Sequence, residues 1–177
     1  SMRYSFMLFL LCYLFISCVK EETDNRENGF IVSVGDPAPD FQIHYQDGNT
    51  QSLKSLRGKV VLIQFAASWC KVCQDIMPLM EREFNLRYKS HPDFTLFAVC
   101  RGQTPEEVQQ FAEKVKVTYP LTLDEDESIF RLYALAKAGV TRNVLIDKDG
   151  KIVYLTRLYN EQEFAQLNKT IDSLLQP

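Results

Sequence analysis

Trp69-Cys70-Lys71-Val72-Cys73 sets two thiols two residues apart at the junction of two patterns that fold differently. Before it, Lys59-Val60-Val61-Leu62-Ile63-Gln64-Phe65 is a short run of strand-formers that ends in Ala66-Ala67-Ser68. After it, residues 71–89 carry Val72, Ile76, Leu79, Met80, Phe84 and Leu86 as the apolar face of a helix. Cys70 therefore falls at a helix start, where unpaired backbone N–H groups and the positive end of the helix dipole stabilise a thiolate, and Lys71 adds a cation. Cys73, one turn further in, is expected to be more buried and less acidic. That asymmetry separates an attacking sulfur from a resolving one.

The same spacing is half of many zinc sites. A tetrahedral site needs a second Cys/His pair, however, and downstream stand only Cys100 and His91, so no metal site is expected. Cys100 closes the apolar run Phe94-Thr95-Leu96-Phe97-Ala98-Val99 and reads as a buried structural thiol. A formal net charge of −3 with scattered Lys and Arg offers no footprint for nucleic acid.

The N-terminus reads as a targeting segment. Arg3 supplies a positive start, Phe6 to Ile16 is an apolar run, and Ser17 precedes Cys18. The run falls short of the about 20 apolar residues that a membrane span needs. Residues 1–17 resemble a bacterial lipoprotein signal peptide, which makes Cys18 the expected lipid attachment; an uncleaved anchor helix is the alternative reading. Residues 18–29, mostly charged and polar, form a tether, and residues 30–177 form the folded domain.

Within that domain a short strand is expected from Phe41 to Tyr45, turned back by Asp47-Gly48-Asn49 as a hairpin. Then follow the strand at 59–66, the helix over 71–89 with Pro78 inside it, and a strand at 94–100. Thr104-Pro105-Glu106-Glu107 reads as the cap and acidic first turn of a helix running to about Lys114. Further expectations are a strand within Val117 to Leu123, a short helix over 126–136, a hairpin pairing Asn143 to Ile146 with Ile152 to Thr156, and a closing helix over 160–175. Alternating strands and helices with a late hairpin make the class α/β, a central mixed sheet flanked by helices.

Four pieces of this chain resemble the thioredoxin superfamily, and within it the extracytoplasmic TlpA/ResA-like thiol-disulfide oxidoreductases. They are Gly35 to Phe41, Leu53 to Lys59, Trp69 to Cys73 with Pro78 beyond, and Val144 to Gly150. The resemblance implies a thioredoxin-like fold with an N-terminal hairpin and an inserted α/β element. It implies that Cys70 is the exposed nucleophile and Cys73 the resolving thiol, and that Trp69, Val140 and Thr141 belong to the surface where a partner docks. The Cys70–Cys73 disulfide itself is the redox group, with no other cofactor. The implied partners are protein thiols or disulfides and an upstream reductant, met by a lipid-anchored monomer on the periplasmic or outer side of a bacterial membrane, acting as reductant.

Three departures from the family pattern bear on function. The motif interior is Lys71-Val72, without the proline many relatives carry. Gln64 stands where thioredoxins place a buried acid. Thr141 occupies the position of the family's cis-proline, and because a cis bond before a non-proline residue costs about 2.5–4 kcal/mol, the Val140–Thr141 bond is expected to be trans. Weak reduction of ordinary test disulfides is expected to follow. Two alternatives stand beside the main reading. A peroxiredoxin-like peroxidase would want a threonine where Ala67 stands and an arginine in register, whereas Arg142 is one place off. A Cu(I)-binding thioredoxin-like module would hold copper on the two thiols, with a histidine near the late hairpin, where this chain has none.

Overall fold

A computed structural model describes residues 28–177. The segment expected to be a signal peptide, Cys18 and nearly all of the expected tether lie outside the described residues. Strands β1 (Gln42–His44), β2 (Thr50–Ser52), β3 (Val60–Ala66), β4 (Phe94–Arg101), β5 (Leu121–Asp124), β6 (Arg142–Ile146) and β7 (Ile152–Arg157) form one sheet in the order β2-β1-β5-β4-β3-β6-β7. β3, β4 and β5 run parallel, while β1, β2, β6 and β7 pair antiparallel to their neighbours. The central strand β3 is buried along its whole length, which is why it reads as an unbroken apolar run and not as an alternation.

Helix α1 (Lys71–Met80) leaves the end of β3, passes through Pro78, and widens into a π-helical turn at Glu81–Asn85 before a last turn, α2 (Leu86–Tyr88). Proline has no N–H to give to the preceding turn, so an irregular helix is the expected outcome. The wide turn is tied down from outside: the Glu81 carboxylate accepts from Thr118 N at 3.0 Å, and Asn85 Nδ2 donates to Thr118 Oγ1 at 2.8 Å. α3 (Pro105–Val115) starts from a Thr104–Glu107 capping box with Pro105 in its first turn. The closing helix α5 (Glu161–Leu175) lies against this first helical segment, with Phe84 edge-on to Phe164 at 5.6 Å.

The other face of the sheet is covered by the single-turn helix α4 (Phe130–Tyr133) and the N-terminal segment. Phe65 packs edge-on against Phe130 at 5.5 Å, and Phe41 against Tyr133 at 6.0 Å. α4 is shorter than the helix expected over 126–136, and β5 begins at Leu121 instead of Val117. Asp124 explains the boundary between them. Its buried carboxylate accepts from Ile129 N at 3.0 Å and Phe130 N at 2.9 Å, so the chain must bend sharply between strand and helix. The late hairpin turns through Gly150 at φ +83°, a left-handed position that a Cβ disfavours.

Replacing Asp124 by Ala should strand two buried N–H groups and cost about 2–3 kcal/mol. Urea unfolding should show a lower midpoint with an unchanged slope, with Asp124→Asn intermediate.

Candidate active site

Cys70 ends the turn that follows β3, and its sulfur takes the place of a helix-capping side chain. The backbone N–H of Cys73 donates to Cys70 Sγ at 3.3 Å, and Cys70 is the N-cap of α1. The sulfur thus receives one of the donors that a helix start leaves unpaired. Lys71, expected from the sequence as a neighbouring cation, instead pairs with Asp75 at 2.6 Å on the exposed side of the helix. Asp75 is thereby occupied as well.

Cys70 is partly exposed, Cys73 and Cys100 are fully buried, and all three are free thiols. Burial pushes the Cys73 thiol up to about 12, and its hydrogen bond with Cys70 works in the same direction. Hydrogen bonds from Thr141 and from the Ala67 backbone pull it down. Cys100, on β4 beside Ala66, is raised to about 12 by burial and by the charge Cys73 would carry. That agrees with a structural thiol.

Thr141 comes between the two sulfurs. Its Oγ1 lies 3.1 Å from Cys70 Sγ and 3.3 Å from Cys73 Sγ, and its carbonyl accepts from Leu158 N at 3.0 Å. No cis peptide occurs among the described residues, so the Val140–Thr141 bond is trans as its energetic cost leads one to expect. Trp69 stands out from the surface at 68% exposure beside the half-exposed Val72, whereas the Val140 side chain is buried. Of the residues named from sequence for docking, Trp69 presents a side chain to a partner, Thr141 faces the thiols at 4% exposure, and Val140 presents none.

The strand beneath sorts its side chains by parity. Gln64 on β3 pairs with Asn143 on β6, and these two share a face, while the neighbouring pair Phe65 and Arg142 points to the other. Gln64 Oε1 accepts from Tyr119 Oη at 2.7 Å, and Tyr119 is held well above its ordinary range by burial first and by the nearby Glu81, Cys100 and Cys73 charges after it. Arg142 therefore lies away from the thiols. Its guanidinium sits 4.5 Å from the Phe30 ring, its Nε donates to Gly139 O at 2.8 Å, and burial, helped by Arg157 and Arg101, lowers its ionisation to about 10. The arginine that a peroxidase reading would use does not face Cys70.

Sequence reasoning missed Gln103. This buried amide accepts from Ser68 N at 2.9 Å and donates to Ser68 Oγ, while Gln74 Nε2 donates to Ser68 O at 2.6 Å. The residue before the motif's tryptophan is thus fixed from both sides. The available signal was position: Gln103 follows the carboxyl end of the parallel strand β4, the edge where open α/β sheets gather their sites. His44 lies on β1, paired with Thr50 and Leu123, and His91 Nδ1 accepts from Asp93 N at 3.1 Å.

A family profile described as Redoxin matches residues 33–171. The chain is 33% identical over 121 residues to the thiol-disulfide oxidoreductase ResA of Geobacillus thermodenitrificans, spanning 68% of this chain and 67% of that protein. It is 31% identical over 136 residues to ResA of Bacillus cereus, spanning 77% and 75%. Among solved structures, the solution structure of a Bacteroides thetaiotaomicron protein, provisionally described as a protein disulfide isomerase, matches with a TM-score of 0.80. Its identity is 53%, over 83% of this chain and 92% of that one. A Chlorobium tepidum protein, provisionally described as the thiol:disulfide interchange protein DsbE, matches with a TM-score of 0.71 at 26% identity, over 82% and 99%.

The buried thiols set a pH limit on the reduced protein. An unfolded thiol ionises near 9.0, whereas folded Cys73 and Cys100 hold their protons to about 12. The unfolded chain then binds fewer protons above pH 9, so stability present below that pH should fall as pH rises, by up to about 1.4 kcal/mol per unit per thiol. Denaturant titrations of reduced protein across this window should show the loss, with a shallower slope in Cys100→Ala and in the protein with its Cys70–Cys73 pair oxidised.

Proposed function

The chain belongs to the Redoxin family and is a ResA/TlpA-like thiol-disulfide oxidoreductase of the thioredoxin superfamily; we propose that it reduces disulfides of extracytoplasmic proteins while tethered to a membrane by lipid on Cys18. The carrying observation is the unequal pair at the start of α1: a capped, partly exposed Cys70 sulfur and a buried, protonated Cys73 within one turn of it. Cys70 as thiolate attacks a client disulfide, one client sulfur leaves, and a mixed disulfide forms. Cys73 then displaces the second client sulfur and closes the Cys70–Cys73 disulfide. The client gains two electrons and the pair loses two. No further cofactor enters this cycle, and an upstream reductant of the dithiol class must restore the pair.

Trp69 supports docking of an extended client segment. Its exposed ring and the neighbouring Val72 form an apolar rim next to the sulfur that is attacked, and a protein disulfide flanked by apolar residues fits it. The reductant direction rests on kinship with the ResA proteins, and the envelope location on the apolar run from Phe6 to Ile16 ahead of Cys18.

Expressed in a bacterial envelope, Cys73→Ser should accumulate mixed disulfides with client proteins on non-reducing gels, and Cys70→Ser should not. Equal trapping by both variants would overturn the assignment of nucleophile and resolver. Cys18→Ala should lose incorporation of labelled lipid; label retained on that variant would remove the anchor.

A further inference from the structure

Closing the Cys70–Cys73 disulfide requires the Cys73 sulfur to give up its proton while it is sealed from water, at 0% exposure. The polar neighbours within its surroundings are occupied or unsuited to assist. Gln64 is an amide whose oxygen is engaged by Tyr119, and it cannot accept a proton. Tyr119 holds its own proton tightly. Asp75 is paired with Lys71 on the outer side of α1, and Glu81 is engaged by Thr118. Two donors reach the Cys73 sulfur, the backbone N–H of Ala67 and the hydroxyl of Thr141.

We infer that Thr141 is a catalytic residue of the resolving step, its hydroxyl turning its single hydrogen from Cys70 Sγ to Cys73 Sγ once Cys70 is tied up in the mixed disulfide. The inference rests on the oxidoreductase reading and adds to it the group that serves the second sulfur. The geometry permits the exchange without movement of the chain, since Oγ1 is 3.1 Å from one sulfur and 3.3 Å from the other. β-Branching restricts the side chain's rotation, and the Leu158 N–H holds the Thr141 carbonyl. A hydroxyl can give its hydrogen to either partner and accept from the other, so it bridges a thiolate and a thiol in both arrangements.

When Cys70 is the attacking thiolate, the Thr141 hydroxyl can donate to it and accept from the Cys73 thiol. After attack, Cys70 is bonded to client sulfur and no longer carries charge. The Cys73 S–H bond then breaks as its sulfur bonds to Cys70, the bond from Cys70 to the client sulfur breaks, and the proton ends on the departing client thiol. The pair is oxidised by two electrons and the client reduced by the same two. Charge developing on Cys73 during this step meets the turned Thr141 hydroxyl. The ring of a proline at this position would have no hydrogen to give.

Removal of the hydroxyl should affect the two sulfurs unequally. Water can replace the lost donor at the partly exposed Cys70 and cannot reach Cys73. The test uses the reduced full chain carrying Cys12→Ser and Cys18→Ser, so that the N-terminal thiols release no colour, and an aromatic disulfide whose released thiolate is coloured: the first equivalent reports attack by Cys70, the second reports resolution by Cys73. A hydrogen bond to a charged group sets the scale, so in Thr141→Val the ratio of second to first rate should fall by about tenfold to a hundredfold. Thr141→Ser should restore the ratio. Thr141→Ala, which has less volume to place than valine, should behave as Thr141→Val does, and matching circular dichroism of all three variants checks the fold. An unchanged ratio in Thr141→Val and Thr141→Ala, or a serine variant as slow as valine, overturns the inference. A wild-type protein that releases neither equivalent overturns the oxidoreductase reading itself, and one that releases only the first overturns the role of Cys73 and Thr141 alone.

Discussion

The contact on which the rest of this protein depends is the hydrogen bond from the backbone of Cys73 to the sulfur of Cys70. It starts a helix with a side chain that is also a nucleophile, so the requirement that a helix end be capped and the requirement that a sulfur be activated are met by one geometry. The geometry holds because its supports are rigid. β3 arrives fully buried between two neighbours, Ser68 is fixed by Gln103 and Gln74, and α1 continues through Pro78 into a segment anchored on Thr118 and Phe164. The thiols lie at the end of a stiff strand and not on a free loop, which suits a site that must hold two sulfurs within bonding reach of each other.

The sheet also divides two kinds of polar burial. On the side of α1 lie the neutral groups Thr141, which meets both sulfurs, Gln64, bonded to Tyr119, and Asn143, bonded to Thr156. On the opposite side lie Arg142 and Arg101, each stacked over an aromatic ring and bonded to backbone carbonyls. Cations placed near the thiols would favour thiolates generally and weaken the contrast between Cys70 and Cys73. One residue of register separates the two sets, since Thr141 and Arg142 are adjacent in the chain.

Much of this was legible in the chain itself. The apolar run of β3, the capping signals around Thr104 and Pro105, the glycine of the late hairpin and the periodicity of α5 all state local requirements that the fold satisfies. The paired cysteines at a strand–helix junction were equally plain. What sequence did not display were contacts between distant segments. Gln103 is one amide among many until β4 sets it beside Ser68, and the sharp bend after β5 depends on a carboxylate that reaches forward to cap α4. Lys71 was read as a cation for Cys70 because it is adjacent in the chain, yet on a helix its natural neighbour is four residues on, and Asp75 takes it. Val140 was named with Trp69 and Thr141 for the docking surface, and that its side chain is buried is a tertiary fact the sequence does not display.

Trp69 is the only tryptophan in the chain, and it stands directly before the attacking cysteine. None of the molecule's other indole absorption or emission can obscure it, because there is none. The protein thus carries a single indole probe beside the attacking sulfur, and light from it reports the arrival of a client and the state of that sulfur.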